Sequence, residues 1–306
     1  MSIINNKIHK LTKAYSYCII SYIIALFVSI LIVISINFMH PLLVIFIADI
    51  SATLVIFIVS TILKNASLYD PYWSVAPVLI SIYWLINPQA INVNIIRQAI
   101  VILLVIVWSI RLTHNWIKQW DGLSHEDWRY KDLRNQKGKF FWLINLTGIQ
   151  LMPTIIVFLG LLSLFPILAT SKKSFGYIDF LALGITTSAI IIEALADLQL
   201  HKFVKNRDEY KQIINIGLWK YSRHPNYFGE ILFWWGLYIF ALAADLSFWW
   251  TIIGPISITI LFNAVSIPLM ENRNLKRKPK YYSYIQNVSK LIPWFPKKQV
   301  KEFERK

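Results

Sequence analysis

Eight apolar runs separated by short polar stretches dominate this chain. They fall at about 15–37, 41–63, 72–87, 96–113, 140–170, 176–200, 226–245 and 248–269. Several reach the roughly 20 residues that a helix needs to cross a bilayer core. Of the 306 residues, 56% are hydrophobic and only 15% are charged, well under the usual quarter. Mean hydropathy is +0.51. A soluble globular protein is excluded, and the expectation is an all-α, polytopic bundle of about eight transmembrane helices forming a single membrane domain over 1–306. Two runs are irregular. The third is short, carries Pro77 and stops at Asn87-Pro88, a pairing that ends helices. The fifth is over-long and broken by Pro153 and Pro166, which predicts a tilt, a kink or an interfacial portion.

The net charge of +15 would suit a nucleic-acid binder, but its distribution argues otherwise. With the N-terminus placed in the cytoplasm, 28 of the 31 Lys and Arg residues fall on the cytoplasmic side. That is the positive-inside bias, and it predicts both termini cytoplasmic. The basic C-terminal tail then reads as an orientation and anionic-lipid signal. The one cysteine, Cys18, allows neither a disulfide within the chain nor a thiolate metal cluster. The first run is too long for a signal-peptide core and no small-residue cleavage site follows it, so it reads as a retained span.

The stretch Gly217 to Gly236, GLWKYSRHPNYFGEILFWWG, carries the densest chemistry. Pro225 suits a first helical turn, where its missing N–H is no loss. Ahead of it stand Arg223 and His224, so the helix start combines free N–H groups, a positive dipole end and two basic side chains, a setting that can hold phosphate. One turn inside, Asn226 and Glu230 share a helix face. An ionisable group in apolar surroundings is costly and therefore a functional candidate. The run IIIEALADLQLHKF sets Glu193, Asp197 and His201 at successive i, i+4 positions. Two carboxylates so placed need donors, which ribose hydroxyls, a carboxamide or cations would supply. A metal site and a purely structural role are the alternatives. Lys202, Lys205 and Arg207 follow, placed to meet phosphate. Asp49, in IFIADISATLVIF, is either a helix–helix hydrogen bond or part of a substrate chamber. Asp70-Pro71 is a turn former, with Tyr72 and Trp73 suited to the interface. Neither GxGxxG nor GxxxxGK[ST] is present, so no Rossmann unit or P-loop is available for a nucleotide.

The run from Arg223 to Glu230, RHPNYFGE, resembles the C-terminal signature of the steroid 5-alpha-reductase-like family of membrane reductases, closest to its RHPNYFGE branch. The resemblance extends to Tyr69-Asp70-Pro71-Tyr72-Trp73, Glu126-Asp127-Trp128-Arg129-Tyr130, Glu193 with Asp197 and Gln199, and Ile292-Pro293-Trp294-Phe295-Pro296, all in the expected order. It implies an NADPH-dependent reductase that delivers hydride to the C=C bond of a hydrophobic, lipid- or steroid-like enone. The cytoplasmic segments 111–139, 201–225 and 270–306 would form the cofactor side. Arg129, Lys202, Arg223 and His224 would hold phosphates, while Glu193, Asp197, Asn226 and Glu230 would fix the ribose and carboxamide. Gln150, Tyr227, Glu271 and Arg273 complete the implied cofactor set, and the tail returns over the cofactor. Asp49, Asp70 and Tyr72 are the candidates for the catalytic end, with Tyr72 as proton donor. The Gln-Glu pair that the steroid reductases carry on an early helix is absent. RHP-x-Y-x-G also resembles membrane methyltransferases such as isoprenylcysteine carboxyl methyltransferase, so an S-adenosylmethionine-dependent methyltransferase is the alternative. The basic loops favour the phosphorylated dinucleotide over that cationic methyl donor.

Overall fold

The computed structural model describes residues 2–90, 92–207, 209 and 211–297, and the chain divides into two compact units at Lys172–Lys173. The first holds α1 (Ser2–Ser35), α2 (Pro41–Ile62), α3 (Tyr72–Ile86), α4 (Ile95–Gln119), α5 (Trp128–Lys137), α6 (Phe141–Ile144) and α7 (Met152–Leu161). The second holds α8 (Tyr177–Asn206), α9 (Pro225–Ala244), α10 (Ile253–Leu261), α11 (Ile267–Arg277) and α12 (Tyr281–Asn287). Among the described residues no strand forms. The nearest approach to one is an isolated parallel bridge between Ser222 and Ser289.

Seven helical stretches among the described residues are long and apolar enough to cross a membrane: His9–Ser35, Pro41–Ile62, Ile95–Gln119, Trp128–Leu161, Tyr177–Asn206, Pro225–Ala244 and Leu246–Arg277. Their outward faces carry large apolar side chains such as Ile23, Phe27 and Leu103, which lipid rather than water would solvate. The protein is an integral, multi-pass membrane protein. The sequence led us to expect eight crossings, and the difference lies in the third run. It forms α3, only 15 residues long with Pro77 inside it, or roughly 22 Å at 1.5 Å per residue against a core of about 30 Å.

The irregularities sit where the prolines predict them. Just before Pro153 the helix widens into a π turn, Asn145–Leu151, and a second π turn begins at Pro166. Proline cannot donate the backbone bond that would continue a regular helix. A third π turn, Phe262–Ser266, joins α10 to α11 just before Pro268.

Lipid tails are as apolar as leucine, so helices in a membrane associate through close packing and hydrogen bonds rather than through escape from water. Each unit shows this. In the first, α1 and α2 meet at Ala25 and Ala52, with Ser29 Oγ donating to the Ala48 carbonyl (3.2 Å). In the second, α9 lies hard against α8. A Cβ on Gly229 would stand 2.8 Å from the Cβ of Glu193 and 2.9 Å from the Ala189 carbonyl oxygen, and one on Gly236 would collide with Thr186.

Candidate functional site

In the first unit, the α2 carboxylate and the first residue of α3 come together. Tyr72 Oη donates to Asp49 Oδ1 at 2.6 Å and also lies 3.2 Å from the Asp49 carbonyl oxygen. Both residues are buried, 7% and 6% exposed. The turn at Asp70-Pro71 makes this meeting: a 3-10 turn over Ala66–Leu68 leaves α2, and Pro71 then opens α3 with Tyr72 at its head. The Tyr69 and Tyr22 rings flank the Tyr72 ring, with centroids 5.5 and 6.1 Å away.

A hydroxyl chain supports the pair from behind. Thr53 Oγ1 donates to the Asp49 carbonyl (2.9 Å), Thr53 and Thr154 hydroxyls lie 2.9 Å apart, and Tyr69 Oη lies 2.8 Å from Thr154 Oγ1. Each hydroxyl has one hydrogen. With Thr53's committed to the carbonyl, the order must run from Tyr69 to Thr154 to Thr53.

Asp70 belongs to a different group. Tyr130 Oη donates to its Oδ1 at 2.7 Å. Burial pushes the Asp70 carboxyl up to about 7, although the Tyr130 hydroxyl and the nearby Arg129 guanidinium pull the other way. Arg129 is itself engaged, since its fork meets Asp127 at 2.9 and 3.1 Å. Asp127 also caps α5 by accepting from the Arg129 N–H (2.8 Å). Neighbouring Glu126 accepts from Arg134 (2.6 Å) and from the Ala66 N–H (2.8 Å), fastening the 111–139 segment to the turn that carries Tyr69. Gln150, fully buried in the first π turn, donates to Ser60 Oγ (2.9 Å) and Asn145 Oδ1 (3.1 Å). Its Oε1 is buried with no hydrogen-bond partner among the described residues.

In the second unit Pro225 opens α9 and His224 stands before it in non-helical backbone. The basic pair in front of this helix meets a carboxylate of the chain's own. Arg223 Nε donates to Glu271 Oε1 (2.7 Å), and His224 Nε2 lies 3.1 Å from the same oxygen. Arg223 Nη1 donates to the carbonyls of Ile285 (2.8 Å) and Val288 (2.6 Å). The RHP turn therefore clasps the C-terminal segment. Further bonds run alongside it, from Ser222 Oγ to the Leu291 carbonyl (2.7 Å) and from the Trp294 N–H to the Tyr221 carbonyl (2.9 Å). Tyr227 stacks on His224, with centroids 5.4 Å apart and planes 7° from parallel.

One turn along, α8 and α9 share the expected polar face. Asn226 Nδ2 donates to Asp197 Oδ1 (3.2 Å), both residues partly exposed. Glu230 and Glu193 are buried at 3% and 4%, and Glu230 Oε1 accepts from Trp234 Nε1 (2.8 Å). Lys202 lies exposed beyond the polar face, and Arg273 is partly buried on α11. Among the described residues no three His, Cys, Asp or Glu side chains gather into a metal-binding group.

Some working residues had no advance notice. Trp234 stands at i+4 from Glu230, a spacing that signals a side-chain pair, yet tryptophan in an apolar helix reads as packing. Thr53 and Thr154 are 101 positions apart, a pairing with no local signal. Ser222 looks like an ordinary turn residue.

Fold and site thus define a multi-pass helical membrane protein with buried polar groups in each unit. The chain belongs to the family described as protein of unknown function DUF1295, which it matches over residues 56–288. It is 27% identical over 258 residues to a Schizosaccharomyces pombe protein described as uncharacterized, covering 77% of this chain and 74% of that protein. No solved structure matches.

Proposed function

We propose that this protein is an NADPH-dependent reductase of a C=C bond in a hydrophobic, lipid-like enone. The single observation that carries the reading is the buried Tyr72–Asp49 pair, with its 2.6 Å hydrogen bond. Reducing an enone requires an acid at the carbonyl end, and a phenol backed by a carboxyl is such an acid. The motif order supplies the rest, since it resembles the steroid 5-alpha-reductase-like reductases and most closely their RHPNYFGE branch.

NADPH would supply the hydride. Asp197 and Asn226 fit its hydroxyl-rich and amide-bearing parts, because a carboxylate accepts and an amide both donates and accepts. Glu193 and Glu230 would line the drier end. Lys202 and Arg273, in the same unit as these four, are the cations for phosphate. Arg223 and His224 would act with Glu271 and Tyr227, by holding the C-terminal segment in place.

At the other end, the Tyr72 hydroxyl turns its one hydrogen from Asp49 to the substrate and gives it up as the C=C electrons move. The phenolate left on Tyr72 is reprotonated before the next turnover, with Asp49 Oδ1, 2.6 Å away, positioned to relay the proton. The Tyr69–Thr154–Thr53 chain holds the Asp49 backbone while this happens. Asp70, bonded to Tyr130, would fix the turn that sets Tyr72 in position.

The test is which ligand stabilises the detergent-purified protein. A ligand that binds only the folded state adds about 2.7 kcal/mol at a hundred times its Kd. NADPH should raise the thermal midpoint, and S-adenosylmethionine should not. Stabilisation by S-adenosylmethionine alone would replace this reading with the methyltransferase that the RHP turn also resembles.

A further inference from the structure

The second unit holds a cleft of about 460 Å³ whose rim carries four lysines, Lys211, Lys220, Lys280 and Lys297. That volume lies within the range of small-molecule sites. None of the described residues lining it is acidic, and none of the four ammonium groups has a carboxylate partner among the described residues. Four like charges gathered around one concavity repel one another unless an anion joins them. Between the lysines stand neutral donors: the Asn215 and Asn287 amides and the Ser283 hydroxyl.

The wall of the cleft is held in place. Tyr284 packs its ring into it, with its hydroxyl committed to the Trp219 carbonyl at 2.5 Å. Val288, another wall residue, has its carbonyl gripped by Arg223 at 2.6 Å. The Lys297 N–H bonds the Asn287 carbonyl at 3.0 Å, so the chain end that brings Lys297 is tied to α12. The concavity thus combines tethered aromatic and aliphatic wall residues with four cations and small neutral donors. An ammonium is a compact point charge that suits phosphate oxygens, and the amides and hydroxyl would complete the oxygens' hydrogen bonds.

We propose that this lysine-rimmed cleft binds a phosphate-bearing ligand, either the phosphates of a soluble nucleotide or the headgroup of an anionic phospholipid. The cleft lies within the 201–225 and 270–306 segments expected on the cofactor side, but none of its residues is among those named above for the reductase site, and the proposal does not depend on which reaction the chain catalyses. Binding at exposed lysines should weaken steeply with added salt.

The experiment uses the full-length protein in neutral-lipid nanodiscs and two probes. One is adenosine 2′,5′-bisphosphate in solution, and the other is phosphatidylinositol 4-phosphate incorporated in the disc. Affinity is compared for wild type, Lys211→Ala/Lys280→Ala, Lys220→Ala/Lys297→Ala and a control of equal charge change outside the cofactor-side segments, Lys10→Ala/Lys172→Ala, each confirmed folded by its thermal midpoint. We expect at least one probe to bind wild type, with affinity reduced tenfold or more in both cleft variants and unchanged in the control. A response to the soluble probe alone identifies a nucleotide phosphate, and a response to the lipid alone identifies a headgroup. Failure of wild type to bind either probe, cleft variants that match wild type, or a control that loses as much as they do would each overturn the proposal. Either outcome can be told apart from failure of the reductase reading, which is tested by NADPH oxidation coupled to a lipid product.

Discussion

Tyr72 and Asp49 were each visible in the sequence as a polar group in the wrong solvent, but nothing in the sequence paired them. Asp49 has no charged neighbour along its own helix, and its partner lies 23 positions away across a turn. The pairing follows from Asp70-Pro71, which starts α3 with Tyr72 at its head. If Tyr72 is the acid, Tyr72→Phe should lower turnover by about 10²–10⁴, the usual worth of a positioned general acid, with NADPH affinity unchanged. Asp49→Asn should give a smaller loss, and steady-state rates alongside NADPH titrations check both. Asp70 makes a separate prediction. Its folded carboxyl titrates near 7 against an ordinary 3.8, so over that interval the native chain keeps a proton that the unfolded chain releases. Stability should therefore fall as pH rises from about 4 to about 7 and level off above. Thermal midpoints across that range should show the slope in wild type and lose that part of it in Asp70→Asn. An identical slope in the variant would refute the assignment. At Arg223 and His224 the sequence suggests phosphate, and the structure gives them Glu271 and two carbonyls. The basic pair was legible, but the acceptors lie 47 to 65 positions later, where local spacing carries no information.

At the scale of elements, hydropathy located the helices well, because a lipid solvent demands long apolar runs and little else does. The prolines marked the breaks. What hydropathy could not judge was whether α3 reaches across, since its run is apolar throughout yet ends at 15 residues. Nor could it show how closely α8 and α9 approach. Gly229 reads in sequence as part of a motif, and in the structure it is the point where α9 meets the α8 backbone at Ala189 and Glu193. An alanine there would need backbone atoms to move, not merely a flexible side-chain end. Gly229→Ala should destabilise by about 1–3 kcal/mol, the usual penalty for forcing extra volume into a packed contact. It should also disturb the Asn226–Asp197 bond one turn away. Chemical denaturation of Gly229→Ala beside wild type measures the first effect, and a midpoint equal to wild type would show that the helices separate without cost.

For the molecule as a whole, the charge split is an expectation built on eight crossings: it puts the loops and tail in the cytoplasm only if α3 spans along with the seven longer helices, since seven crossings would leave the termini on opposite sides. Reporter fusions after Lys139 and after Lys306 should both report that side, and a signal from the opposite side at either position would refute the arrangement. The fold class followed from apolar runs spread along the whole chain. The lysine cleft did not, because its rim comes from segments on both sides of α9 and α10, and in sequence each lysine looks like one more basic loop residue. The central claim is that this membrane bundle moves a hydride into a lipid-like substrate. The most direct measurement incubates the purified protein with a lipid extract of its host membrane and NADPH deuterated at the transferable position, followed by mass spectrometry of the lipids. A reductase predicts a lipid product that has gained one deuterium on carbon and one solvent proton, absent with Tyr72→Phe. No deuterium in any lipid, from protein that is folded and binds NADPH, would contradict the claim.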